Sequence, residues 1–230
     1  MKKVLITQSN YIPWKGYFDA INTCNVFVVY DDMQYTKGDW RNRNQIKTKN
    51  EVKWLSIPVE VSGKYSQKIN ETKIAEKTWN KSHLDLLKQS YKSANCYLEV
   101  FKFIEEMYMT CNFEYLTEIN MHFITKINQF LGIKTEIKHS HEFILYEEKT
   151  QRLVNICEEL NGTDYYSGPA AKDYMDEKKF TEKNINVHYF DYSGYPEYEQ
   201  LYGEFVQGVS ILDLIFNTGA NAPLYMKTLK

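Results

Sequence analysis

Side chains able to do chemistry concentrate in three stretches of this 230-residue chain, and the densest is Asp31 to Asn44. Asp31 and Asp32 close an apolar run. A carboxylate pair there can act as acid or base, hold a metal, accept from hydroxyl or ammonium groups, or cap a helix or turn. Close behind stand Gln34, Tyr35, Lys37, Trp40, Arg41, Asn42 and Arg43. Guanidinium forks suit phosphate oxygens and aromatic faces suit a base or a sugar, so the stretch reads as a diphosphate or nucleotide cleft. The second stretch, Gln8 to Gly16, joins the amides Gln8 and Asn10 to Tyr11, Trp14 and Lys15 just ahead of a predicted helix. Gly16 would let a ligand approach the backbone and the helix N-terminus would favour an anion, unless Pro13 and Gly16 merely set a tight turn. The third stretch, Ser167 to Tyr174, offers Ser167, Gly168 and Asp173.

The elements that must position these residues follow from hydrophobic periodicity. Lys3 to Thr7 reads as a buried strand, Gly16 to Thr23 as a helix and Val26 to Tyr30 as a second buried strand, which opens a βαβ unit. Lys53 to Val59 reads as a third strand, with Pro58 marking an edge. Leu84, Leu87 and Tyr91 keep helical spacing, as do Val100, Phe103, Ile104 and Met107. Leu116, Ile119, Phe123, Ile124, Ile127, Phe130 and Leu131 do so over several turns, stopped by Gly132. Beyond Gln151 the α/β rhythm resumes, with strands at Asp164 to Tyr166 and Asn186 to Tyr189 and an apolar helical segment at Ser210 to Phe216. The expected fold is therefore α/β, with a mostly parallel sheet and an inserted or appended helical bundle. One domain spans 1–230, with an α/β core from 1–75 and 135–230 and a helical subdomain at about 76–134. Ligands of such sheets bind outside the carboxyl ends of the strands, where the three polar stretches would meet on one edge.

Composition narrows the function. A formal charge of -2 with interspersed signs argues against a wholesale nucleic-acid binder. Cys24, Cys96, Cys111 and Cys157 lie far apart without zinc spacing and read as reduced thiols of a cytoplasmic protein. The N-terminal apolar run is too short for a signal peptide, and no stretch reaches the ~20 apolar residues of a membrane span. His139 and His141 form an HxH pair, but no further ligand stands at a defined spacing, so no metal site is expected. GxSxG, P-loop, GxGxxG and HExxH motifs are absent.

The two N-terminal blocks carry a resemblance. Gln8 to Phe18 matches Q-x-N-Y-x-P-W-x-G-Y-F and Asp31 to Asn44 matches D-D-x-Q-Y-x-K-x-D-W-R-N-R-N of the WbqC-like family. W-L-x-I-P-V follows at Trp54 to Val59, and the likeness runs on through the helices, Ser167-Gly168 and Ser210 to Asn217. Ser9 departs from it, standing where the family usually has proline. The resemblance implies a protein of surface-polysaccharide (O-antigen) gene clusters, proposed to transfer glycine to an amino sugar. The opening is also similar to the nucleotidyltransferase and class I synthetase fold, a Rossmann-like core. Trp14-Lys15-Gly16-Tyr17 would hold the place of its H-x-G-H motif, keeping the glycine and losing the histidines.

The chemistry this implies is transfer of an acyl or aminoacyl group to the amine of a nucleotide-linked deoxyamino sugar. Asp31 or Asp32 would take the proton, and Lys37, Arg41 and Arg43 would hold the diphosphate. Gln8, Asn10 and Tyr11 would orient the acceptor or polarise the donor carbonyl. The donor is either ATP-derived or an activated aminoacyl group on a carrier protein. The alternatives are an ATP-dependent ligase or nucleotidyltransferase-like enzyme, and a non-catalytic partner that binds a sugar nucleotide.

Overall fold

The computed structural model describes residues 1–229 and has an α/β architecture. Strands β1 (Lys3–Thr7) and β2 (Val26–Val29) enclose helix α1 (Lys15–Thr23) in sequence. A hairpin of β3 (Arg43–Lys47) and β4 (Val52–Ser56) leads to α2 (Trp79–Tyr91), α3 (Tyr97–Met109) and α4 (Leu116–Leu131). The chain then runs through β5 (Glu136–His139), α5 (Lys149–Glu159), β6 (Asp164–Ser167), α6 (Glu177–Thr181), β7 (Asn186–Tyr189) and α7 (Ile211–Thr218).

The main sheet has the order β5-β2-β1-β6-β7, and all its pairs are parallel. Every strand therefore delivers its following loop to the same edge. The chain winds outward from β1 to β5 and then returns to β6 beside β1, so the strand order reverses between β1 and β6. Both faces are covered, which is why β1 and β2 read as unbroken apolar runs. Leu5, Phe27 and Val29 face one apolar layer, shared with α1, α2, α3, α4 and α7. Val4, Ile6, Val26 and Val28 face the other, against Val154, Ile156 and Cys157 of α5 and Phe180 of α6. Within α4 the expected stripe from Leu116 to Leu131 is buried, and Gly132 ends the helix at φ 75°, a left-handed conformation suited to glycine.

The segment read as a third strand departs from expectation. It runs from Val52 to Ser56 and pairs antiparallel with Arg43–Lys47 in a separate two-stranded sheet. Arg43–Lys47 reads in sequence as part of a charged loop because its inward residues are Asn44 and Ile46, one of them polar. The hairpin nonetheless buries Asn44, Ile46 and Leu55 while Trp54 faces outward.

Two buried polar clusters fasten the layers. Asp213 of α7 accepts hydrogen bonds from the hydroxyls of Tyr91 and Tyr198, both at 2.8 Å, and so anchors the irregular segment after β7. Tyr11, Tyr108 and His83 meet among Trp79 and Phe123: the Tyr11 hydroxyl lies 2.9 Å from His83 Nδ1 and 2.7 Å from the Tyr108 hydroxyl. Burial pulls the His83 pKa down to about 4, against the opposing pull of the Ser56 carbonyl. The unfolded chain thus binds the extra proton first, and stability falls as pH drops from about 6.5 towards 4. The shift corresponds to about 3 kcal/mol. His83→Gln is expected to flatten the pH dependence of urea unfolding in that window; a variant slope matching wild type would show that other groups carry it.

Candidate functional site

The site is organised around Asp31, at the carboxyl end of β2. Its carboxylate is 2% exposed and accepts three hydrogen bonds. Ser9 N–H donates at 2.8 Å, Ser9 Oγ at 2.6 Å and Thr117 Oγ1 of α4 at 2.7 Å. Burial pushes the Asp31 pKa up, and these donors together with Arg41 oppose it. With both oxygens engaged and three of the roughly four acceptor positions of a carboxylate taken, Asp31 serves to fix geometry. Ser9, the departure from the family pattern, supplies two of the three donors; a proline could supply neither.

From this knot the network runs to the surface. Asn120 of α4, fully buried, donates to Ser9 Oγ at 3.0 Å and to the Arg41 carbonyl at 2.9 Å. The Arg41 guanidinium donates to Asn10 Oδ1 and, at 3.1 Å, to Gln8 Oε1, with Asp39 at 3.6 Å. The Tyr17 hydroxyl donates to the Gln8 carbonyl at 2.9 Å. Its pKa is pushed up by burial first, then by Asp31, while Arg41 opposes the rise and Tyr192 adds to it. Gln8, Ser9 and Asn10, tied to Asp31, Arg41 and Tyr17, form a ridge.

A cleft opens on each side of it. The first, about 360 Å3, is walled by Asn10, Trp14, Trp40, Asn44, Tyr192 and Gln207. The second, about 210 Å3, is walled by Asp31, Asp32, Asn70, Thr117, His139 and Ser140. A shallower groove of about 390 Å3 continues from it along α4 past Thr117, Glu118 and His139. Asp32 accepts from Ser140 Oγ and from Asn70 Nδ2 at 3.2 Å, with Lys68 Nζ at 3.8 Å. His139 ends β5, its ring stacked 5.3 Å from that of His141. Burial and then His141 push its pKa down, while Glu142, Asp31 and Asp32 oppose that, so the neutral imidazole is favoured at neutral pH.

The sequence-derived candidates divide. Gln8, Asn10, Trp14, Asp31, Asp32, Trp40 and Arg41 gather at the ridge and its clefts. Tyr11 does not: it is buried among α2, α3 and α4. Gly16 makes room for an indole and not for a ligand, since a Cβ there would stand 2.3 Å from the Trp14 ring. Lys15 is buried, donates to the Pro196 carbonyl at 2.6 Å, and lies 5.3 Å from the Tyr195 and 5.1 Å from the Tyr198 ring centroid. Its pKa is drawn down by burial to about 8. Asn42 is spent on the Ile57 carbonyl, Gln34 reaches the Tyr65 carbonyl, and Tyr35 is buried. Lys37 is exposed, and Arg43 lies on Trp54, so the three expected cations do not converge. Ser167, Gly168 and Asp173 line neither cleft, and the wall expected from them comes from Tyr192 and Gln207 after β7. Among the described residues no three His, Cys, Asp or Glu side chains gather to hold a metal ion.

Tyr192, Gln207 and Asn70 escape the sequence reading, and His139 enters it only as half of an HxH pair weighed for a metal ion. The strand-end rule reaches Tyr192 once it is applied to Asn186–Tyr189, and reaches His139 once Glu136–His139 is recognised as a strand. Gln207 and Asn70 carry no local signal.

Parallel strands that open onto paired polar clefts define an α/β protein whose candidate site lies at the carboxyl edge of its sheet. The chain belongs to the WbqC-like protein family, whose model matches residues 8–225. It is 46% identical over 227 residues to the uncharacterized protein Rv1507c of Mycobacterium tuberculosis (strain ATCC 25618 / H37Rv), a match covering 99% of this chain and 98% of the relative. No solved structure matches it. No helix among the described residues is long and apolar enough to cross a membrane.

Asp31→Ala would leave the Ser9 N–H and two hydroxyls without their acceptor. It is expected to cost about 3 kcal/mol of unfolding free energy, and a loss below about 0.5 kcal/mol, the range of ordinary surface changes, would remove Asp31 from the centre of the network.

Proposed function

We propose that the protein is an N-acyltransferase of aminoacyl, and specifically glycyl, type, acting on the amine of a nucleotide-linked deoxyamino sugar destined for surface polysaccharide. The observation that carries this reading is the pairing of unlike clefts across the Arg41 ridge: indole, phenol and amide groups on one side, carboxylate and imidazole on the other. A sugar nucleotide has the matching parts, a flat base, a diphosphate and an amine at the far end. Ring stacking would hold the first part, Arg41 the second, and Asp32 with His139 the third.

In the reaction the substrate ammonium gives its proton to His139 or Asp32. The freed amine attacks the acyl carbonyl, forming the C–N bond, and the leaving group departs with the electron pair of the bond it breaks and takes up the second proton that the amine nitrogen sheds. Gln8 and Asn10 are then positioning residues that aim Arg41. The donor would be an aminoacyl group on a carrier protein or one activated from ATP.

The strand order supports a second reading, an ATP-dependent ligase or nucleotidyltransferase-like enzyme, because a Rossmann-like core binds phosphates where the order reverses. Against it stands Trp14, whose indole fills the space over Gly16 at the start of α1, where a phosphate would sit.

The test is incubation with a panel of nucleotide amino sugars and glycyl donors, read by product mass. The expected result is a glycyl increment on one sugar nucleotide, with kcat lowered by about 10²-fold or more in Asp32→Asn or His139→Gln. No increment with any pair would count against transfer. AMP or pyrophosphate release under turnover without a glycyl increment would shift the reading to the ATP-dependent enzyme.

A further inference from the structure

Trp40 and Trp54 are both large and exposed, at 43% and 39% of their full surface. Apolar side chains of that size usually leave water, and these two stand together, ring centroids 5.3 Å apart and planes inclined by 43°. Trp40 is also a wall of the first cleft, so the pair extends the cleft outward onto the face of the β3–β4 hairpin. Diagonal pairing across that hairpin sets Arg43 against Trp54: Arg43 is opposite Ser56 and Gln45 opposite Trp54. The Arg43 Cζ lies 4.1 Å from the Trp54 centroid, a cation–π distance.

The guanidinium is held in place but not satisfied. Its Nε is buried without a hydrogen-bond partner. Asp39, four residues before Arg43, contacts Arg41 instead at 3.6 Å. The turn at Gly38, with φ 74°, closes against the Arg43 Nη2 atom, which lies 3.5 Å from where a glycine Cβ would stand. A half-buried arginine held against an indole, beside a second exposed indole and without a carboxylate partner, matches a ligand that is both planar and anionic. A neutral pyranose could stack on the rings but would leave the guanidinium without a counter-charge.

We infer that Trp40, Trp54 and Arg43 form a nucleotide subsite at the mouth of the first cleft, the base stacking on the indoles and a phosphate oxygen meeting Arg43. The inference rests on the sugar-nucleotide reading above and orients it. The base lies at the outer end of the first cleft, on the hairpin, the diphosphate runs inward from Arg43 along that cleft towards Arg41 at the ridge, and the sugar amine reaches across to Asp32 and His139 in the second cleft.

The experiment is calorimetric titration of the full-length protein with UDP, dTDP, GDP and ADP, with the uncharged nucleosides and free glucosamine as comparators. Wild type, Trp54→Leu and Arg43→Gln are compared, with circular dichroism to confirm folding. At least one nucleoside diphosphate is expected to bind wild type. Its Kd should weaken about tenfold or more in Trp54→Leu, as loss of one stacking partner entails, and comparably in Arg43→Gln. The corresponding nucleoside should lose affinity in Trp54→Leu and be indifferent to Arg43→Gln. Absence of binding by every diphosphate, or unchanged affinity in both folded variants, would overturn the subsite. So would free glucosamine binding with the same dependence on Trp54. Glycyl transfer that proceeds with unaltered KM in both variants would overturn the subsite and leave the transferase reading intact. Nucleotide binding that depends on Trp54 and Arg43 without any transfer would support the subsite and remove the transferase.

Discussion

A buried carboxylate at the end of a central strand cannot remain in a low-dielectric interior without donors, and the site of this protein is built on meeting that demand at Asp31. Burial of an ion costs several kcal/mol, which only well-placed hydrogen bonds offset. The donors come from two other parts of the chain, Ser9 beyond β1 and Thr117 on α4. Satisfying one carboxylate therefore sets the ends of two neighbouring strands and a helix more than eighty residues away in one register. Asn120, one turn along the same helix, carries that register to the Arg41 backbone and so to the loop cation held at the ridge. Because Asp31 is consumed in this way, its neighbour Asp32 is left to face the second cleft.

The abundance of tyrosine follows the same economy of polar tips. Nineteen tyrosines stand in the sequence, and several of the most buried keep their hydroxyls paired, as Tyr11 with Tyr108 and Tyr91 and Tyr198 with Asp213 do. A phenylalanine at these places would fill the volume and leave a carboxylate or an imidazole unpaired. Tyr192 has another use, since it stands edge-on to Trp14 at 5.3 Å and joins a cleft wall.

Much of this architecture was legible in the residues. β1, β2 and the long stripe of α4 announce themselves because complete burial requires apolar side chains at every inward position. β3 does not, because its inward Asn44 is polar for a reason remote in sequence. Its amide donates to the carbonyls of Tyr11 and Ile12, where Ile12 adopts φ 35°, a strained conformation for a β-branched residue. Among the candidate site residues, strand-end logic located Asn10, Asp32 and Trp40 at the clefts and Arg41 beside them on the ridge. It could not tell that Lys15 is caged by Tyr195 and Tyr198, because composition records that a cation is present and not which way it points. The wall from Tyr192 to Gln207 was hidden for a different cause: that segment has no regular structure, and it is held by side-chain bonds to Asp213 and Gln200 that no periodicity encodes.

The position of β1 between β2 and β6 also governs how the chain can assemble. During synthesis β1 and β2 are made early, but the other flank of β1 has no partner until Asp164 to Ser167 has been added. For most of its elongation the nascent protein thus carries an unpaired strand edge on a largely apolar segment, the kind of edge that recruits other chains. Closing the sheet is a long-range event with a large loop entropy to overcome, so folding is expected to be slow and late relative to the helices, which need only near neighbours. In the cell, production of soluble protein would then be limited by the interval between translation of β2 and arrival of β6, and it would respond to chaperone supply more than to changes in final stability.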